Sequence, residues 1–171
     1  LSKLGEKLLN SKLSFIKNPP DNIIQFGDNF KIDEFNKNII IYKNFDELIE
    51  NQINSEAFLS NFGLQLYLGY KENIMQYIYN SLNDRGLLCF NLITNNSFIT
   101  LEKFFYEIDE FIYKGSYRRF GPFHDIQNII EKLNKNNFKE TVVSIEKLEL
   151  NYNSLKKMRE EFKEFGISNY Y

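Results

Sequence analysis

The sequence predicts an α/β domain with a parallel sheet and helices on both of its faces. Short apolar and β-branched runs alternate along the chain with stretches of helical period. The run at 87–93 is apolar almost without a break, the pattern of a strand buried on both faces of a parallel sheet. The length of 171 residues and a hydrophobic fraction of 43% suit one domain, 1–171, with a real core.

Each element has its own signal. Leu4, Leu8, Leu9, Leu13 and Ile16 share one helical face, and Pro19-Pro20 stops that helix. The run at 22–26 reads as a buried strand closed by Gly27, and 38–42 as a second strand. A short helix is expected at 45–53 and a third strand at 57–60. Ile74, Ile78 and Leu82 form a helix that Asn83-Asp84-Arg85-Gly86 ends with turn chemistry. The strand at 87–93 follows. Phe98, Leu101, Phe104, Phe105, Ile108, Phe111 and Ile112 make a long stripe, read as core packing. Pro122 suits the first position of a helix through Ile126, Ile129, Ile130 and Leu133. The run at 141–150 reads as a strand. Leu155, Met158, Phe162 and Phe165 make a last helix, which Gly166 stops.

Composition narrows the function. Lys and Arg total 21 against 23 Asp and Glu, with no basic stripe, so a nucleic-acid partner is not expected. The lone Cys89 reads as a small buried hydrophobe and excludes an internal disulfide. One histidine removes most metal and His-based catalytic readings, and His124, beside Asp125 at a helix start, reads as a surface residue. No apolar run reaches the roughly 20 residues of a membrane span, and the charged N-terminal stretch is unlike a signal peptide. A cytoplasmic location, with no membrane partner, is the expectation.

Five segments, in order, resemble class I S-adenosylmethionine-dependent methyltransferases. Leu59-Ser60-Asn61-Phe62-Gly63-Leu64-Gln65-Leu66 resembles the family's S-N-L-A-[LV]-[QH]-W strand and loop. Leu82-Asn83-Asp84-Arg85-Gly86-Leu87-Leu88-Cys89-Phe90 resembles L-K-P-G-G-x-[LF]-x-F. Asn96-Ser97-Phe98-Ile99-Thr100-Leu101-Glu102 resembles G-D-T-L-x-E-L. Phe120-Gly121-Pro122-Phe123, with Leu133 and Asn137-Phe138, resembles F-x-P…L-L-x-x-A-G-F. Leu150-Asn151-Tyr152 and Phe165-Gly166-Ile167-Ser168-Asn169 resemble V-N-Y…M-G-[AE]-[ST]-N. The last pair is most similar to the malonyl-acyl-carrier-protein O-methyltransferases of biotin synthesis and the methyltransferase-like assembly factors of mitochondrial complex I.

The resemblance implies a Rossmann-like, three-layer fold and an S-adenosylmethionine site. By position it assigns Gly27, Asp46, Asn61 and Gln65 to the cofactor, Asn61 facing the transferred methyl group. Plainer readings stand beside these: a strand-ending glycine and a turn-forming asparagine. It places Arg118, Arg119, Tyr152 and Asn169 on the substrate side, where the arginines would suit a carboxylate or an acidic carrier. The arginines also read as a solvated surface pair, and Tyr152, Ser168 and Asn169 as a structural cap. The substrate would be a small molecule or an acyl-carrier thioester.

The cofactor stretch departs from the family. In place of [DE]-x-G-x-G-x-G stands Gln25-Phe26-Gly27-Asp28-Asn29-Phe30-Lys31. Those glycines let the backbone approach the ligand, and only Gly27 remains. Tyr42-Lys43-Asn44 replaces the acidic residue after the second strand, with Asp46 a few residues late. The spacing from Tyr42 to Phe58 leaves room for one small helix, so one strand-helix unit is expected to be missing, as is the family's last strand. Cofactor affinity is therefore expected to be weak or lost. The alternative function is an inactive methyltransferase-like binding or assembly protein. Without the last strand the run at 87–93 has an open edge, which 141–150 or a second copy would cover.

Overall fold

The computed structural model describes the chain apart from residues 28–29, 33–37, 52, 72, 118–120, 122 and 165–171. Among the described residues four strands form one all-parallel sheet: β1 (Asn22–Phe26), β2 (Asn38–Tyr42), β3 (Ser55–Asn61) and β4 (Leu82–Asn91), in the order β2-β1-β3-β4. The described helices are α1 (Ser2–Leu13), α2 (Phe45–Asn51), α3 (Tyr67–Tyr70), α4 (Ile74–Asn80), α5 (Ile99–Tyr113), α6 (Ile126–Lys135) and α7 (Leu155–Glu164). The expected adjacency of 22–26, 57–60 and the start of 87–93 holds, in parallel register.

Alternation along the central strands sorts the core. Ile23, Ala57 and Leu59 face α1, where Leu9, Leu13 and Phe30 pack on them. Ile24, Phe26 and Phe58 face the other way, onto Leu48 of α2, Leu68 of α3, Ile74, Met75 and Ile78 of α4, and Ile129 and Leu133 of α6. Helices therefore cover both faces. A third cluster joins Phe62 and Ile93, just past β3 and β4, to Met158 and Phe162 of α7. Phe98, Leu101 and Phe105 at the first half of α5 pack against it.

Several local expectations change. The helix at 74–82 ends at Asn80, with Ser81 as its cap and Ser81 Oγ donating to Ile78 O. Leu82 instead opens β4 opposite Ser55, and the next ladder pair is Ala57 with Leu87. Residues 83–86 are thus looped out as a bulge, with Arg85 at φ 64°. The turn chemistry was legible; its place inside a strand was not. α1 stops at Leu13, short of Ile16, which packs beside the core from the following turn. α6 starts at Ile126, where Asp125 accepts from Asn128 N–H as the cap; Pro122 lies outside the described residues. α3 had no counterpart in the sequence reading.

Two corrections are larger. The run at 141–150 forms no strand: it has no regular secondary structure and is exposed, with Val142 at 93% accessibility. A β-branched alternation makes a strand only where an edge receives it, and β4 ends the described sheet with that side unpaired by any described strand. The stripe of α5 is core packing only in part: Phe98, Leu101 and Phe105 pack on the third cluster, and the rest of the stripe does not. Asp109 is its buried residue, while Phe104, Phe111 and Ile112 are exposed.

Gly5 lies on the buried side of α1, a packing position that no local sequence signal marks. A Cβ there would run into Asn61 Oδ1 and the Phe62 ring. Alanine normally gains about 1 kcal/mol over glycine inside a helix. Gly5→Ala should instead destabilise the protein by about 1–3 kcal/mol, the usual cost of overpacking. Urea unfolding of the two proteins checks the sign.

Candidate functional site

In an open parallel sheet ligands bind beyond the carboxyl ends of the strands, where chain order reverses. Here that point lies between β1 and β3, since β2 and β3 flank β1 on opposite sides. The residues at these strand ends are Phe26, Gly27, Ser60, Asn61 and the turn that follows.

Gly27 has φ 95°, and its N–H donates to Tyr42 O at 2.8 Å, which extends the β1–β2 ladder by one bond. Gln25 is buried and points toward α1. Its Nε2 donates to Gly27 O at 2.9 Å and to Phe30 O at 3.0 Å. From α1, Asn10 Nδ2 donates to Lys31 O and Glu6 accepts from Lys31 N–H, each at 3.0 Å. The described part of the loop after β1 is thereby pinned, and Phe30 enters the core at 5% exposure against Leu9 and Ile23.

The turn after β3 closes the same place from the other side. Ser60 Oγ donates to Phe26 O at 3.2 Å. A Cβ on Gly63 would lie 2.7 Å from Phe26 O, so the turn rests on the end of β1. Asn61 is fully buried. Its Nδ2 donates to Ser2 O, and its Oδ1 accepts from Asn91 Nδ2 at 2.9 Å. Asn91 also donates to Gly5 O and accepts from Phe62 N–H at 2.8 Å. Asn91, which the sequence reading missed, ties α1, β3 and β4 together.

Gln65 is fully buried as well. Its side-chain amide clasps Ile93, accepting from the N–H at 2.8 Å and donating to the carbonyl at 3.2 Å. His124 is buried, not on the surface as expected. Its Nε2 meets Gln65 O at 2.6 Å, and its own backbone bridges Thr94. Burial pushes its pKa below the ordinary value, against the raising effect of the bond to Gln65.

The acidic position after β2 is filled differently from the expectation. Asp46 is exposed in the first turn of α2. Glu47 does the local work: it accepts from Lys43 N–H and Asn44 Nδ2, while Asn44 Oδ1 accepts from Glu47 N–H. Tyr42, at the end of β2, is buried, and its hydroxyl has no hydrogen-bond partner among the described residues. Burial, then the Glu47 carboxylate, raises its pKa.

Of the residues that the resemblance assigns to a substrate side, Tyr152 packs edge-on to Phe162 in the end cluster. Burial, then the neighbouring Glu161, holds its hydroxyl well above the ordinary pKa. Arg118, Arg119, Ser168 and Asn169 lie outside the described residues. Cys89 is half-buried, with its thiol pKa raised chiefly by burial. Among the described residues no group of three or more His, Cys, Asp or Glu could hold a metal ion. No helix among them is long and apolar enough to cross a membrane.

The structure brings Gly27 and Asn61 to neighbouring strand ends and sets Gln65 just beyond, but directs the side chains of Asn61 and Gln65 into the protein. Gln25, Asn61 and Gln65 all hydrogen-bond to backbone. Tested against S-adenosylmethionine, the described residues fit poorly: the end of the first strand carries the inward-turned amide of Gln25 and no carboxylate, Asp46 faces solvent, and Phe30 is core. The chain matches no protein-family model, and no curated protein matches it.

Two outcomes follow from this network. Gln65→Leu removes the acceptor of the Ile93 N–H and should cost about 1–3 kcal/mol in chemical unfolding. His124, the one histidine, is more basic unfolded than folded, so the unfolded chain takes up its proton first. The stability it contributes is complete above its ordinary pKa of 6.5 and is lost as pH falls from there toward the lower folded value. Unfolding free energies between pH 8 and pH 5 should show this acid-side loss, and His124→Gln should remove its share.

Proposed function

We propose that this chain is a methyltransferase-like protein that has given up its cofactor site and serves as a binding or assembly module. The observation that carries this reading is the burial of Phe30. In the resembled family that position belongs to a glycine loop that lies against the ligand. Here its side chain is part of the α1-facing core and its carbonyl is held by Gln25. The neighbouring amides support the same reading, since Asn61 and Gln65 are engaged with backbone groups. No described residue at the β1 and β3 ends offers a carboxylate to a ribose.

A second reading is a working S-adenosylmethionine-dependent methyltransferase acting on a small molecule or an acyl-carrier thioester. Gly27 favours it, because the residue keeps a left-handed turn at the end of the first strand, at the switch point of a parallel sheet. Methyl transfer depends on positioning more than on acid-base groups, so few catalytic side chains would be needed.

Calorimetric titration with S-adenosylmethionine and S-adenosylhomocysteine separates the two. The first reading expects no saturable heat for either, with any Kd above about 1 mM, near −4 kcal/mol. A Kd at or below about 10 μM would overturn it in favour of the second.

A further inference from the structure

The most apolar exposed surface on any described helix belongs to α5. Leu101, Phe104, Ile108 and Phe111 follow a three-four spacing, so they line one seam. Phe105 and Asp109, on one flank, turn into the protein. Asp109 is fully buried and accepts from Tyr117 N–H. That rotation swings the rest of the seam outward: Phe111 is 80% exposed and Phe104 56%, with Ile108 between them half-buried. Exposed aromatic surface of this kind marks an interaction site.

Charge selects the occupant. The outer flank of the seam carries Glu107 and, at the left-handed cap that ends the helix, Lys114, both exposed. The Lys114 ammonium lies 5.9 Å from the centre of the Phe111 ring, directly beside the seam. Two copies of α5 can pack antiparallel with knobs into holes in two registers. If Phe104 meets Ile108 of the other copy, the two Glu107 side chains face each other. If Phe111 meets Ile108 of the other copy, each Glu107 faces a Lys114, twice by symmetry, and Ile112 packs against Phe105 on the inner flank. The second register also leaves Leu101, already packed on the end cluster, undisturbed.

We propose that α5 is a self-association surface, on which a second copy of this chain docks antiparallel with Phe111 against Ile108 and Glu107 paired to Lys114. The surface is isologous and closes on itself as a dimer. An aromatic side chain buries about 150–250 Å², so the exposed parts of Phe104, Ile108, Phe111 and Ile112 cover roughly 400 Å² per copy. That is about half the area of a standard stable interface, the size of a weak and reversible contact, and the association is sought in the ~10–100 μM range, since area alone does not fix affinity. This inference does not depend on the proposed function.

Sedimentation equilibrium of the full chain tests it. The expected result is a monomer–dimer equilibrium in that range. Phe111→Glu should weaken it at least about tenfold, and Glu107→Lys similarly, by facing two cations across the seam. The swapped pair Glu107→Lys with Lys114→Glu should restore the wild-type constant to within about threefold. All the altered side chains are exposed, so unchanged circular dichroism confirms folding. A chain that stays monomeric at about 500 μM overturns the proposal. So does a dimer indifferent to Phe111→Glu, which would place contact elsewhere, the open edge of β4 included. A swapped variant as weak as the single one overturns the register.

Discussion

The constraint on which the structure rests is the burial of β3 on both faces. From Ser55 to Asn61 only Glu56 keeps appreciable exposure. A strand so enclosed needs an apolar layer on each side, a neighbour strand on each edge and an internal partner for every polar group it carries. β1 and β4 supply the edges, α1 supplies one layer, and α2, α3, α4 and α6 supply the other. The side chains at its end must then bond inward: Ser60 to Phe26 O, Asn61 to Ser2 O and Asn91.

That demand bears directly on function. The carboxyl ends of β1 and β3 are where a parallel sheet normally leaves room for a ligand. In this chain they are joined by the protein's own groups. Gln25 holds the loop after β1, Ser60 and Gly63 rest on Phe26, and Gln65 clasps Ile93. Each contact stabilises the fold and occupies a group that a ligand would otherwise meet. The hydrogen bonds that satisfy this core are the same ones that engage the polar side chains at those strand ends. His124 belongs to that set: its ring meets Gln65 O, and burial depresses its pKa in spite of that bond.

α5 shows the opposite balance. Its first half is anchored by Phe98, Leu101 and Phe105 on the end cluster, and its second half carries aromatics into solvent around a buried carboxylate. The helical spacing of the apolar residues alone would place that stripe against a core. In the structure Asp109 faces inward, close to Tyr117 N–H, and Phe104, Phe111 and Ile112 face out.

By itself the sequence determined what local spacing and composition control. The strands at 22–26 and 38–42 were legible residue for residue, because β-branched runs bounded by turn residues have few other solutions. The parallel neighbourhood of β1, β3 and β4 followed from strands alternating with helices. Within the site, the turn at Gly27 was also legible. Tertiary structure alone decided the rest. Whether 141–150 pairs depends on an edge that the segment cannot encode. Whether Asn83–Gly86 ends a helix or bulges from a strand depends on the register against β3. Asn91, Gln65 and His124 gain their roles from partners far along the chain, and α5 faces as it does with Asp109 inward and Leu101 and Phe105 on the end cluster. Those outcomes are set by which long-range groups must be satisfied, and no local pattern carries that information.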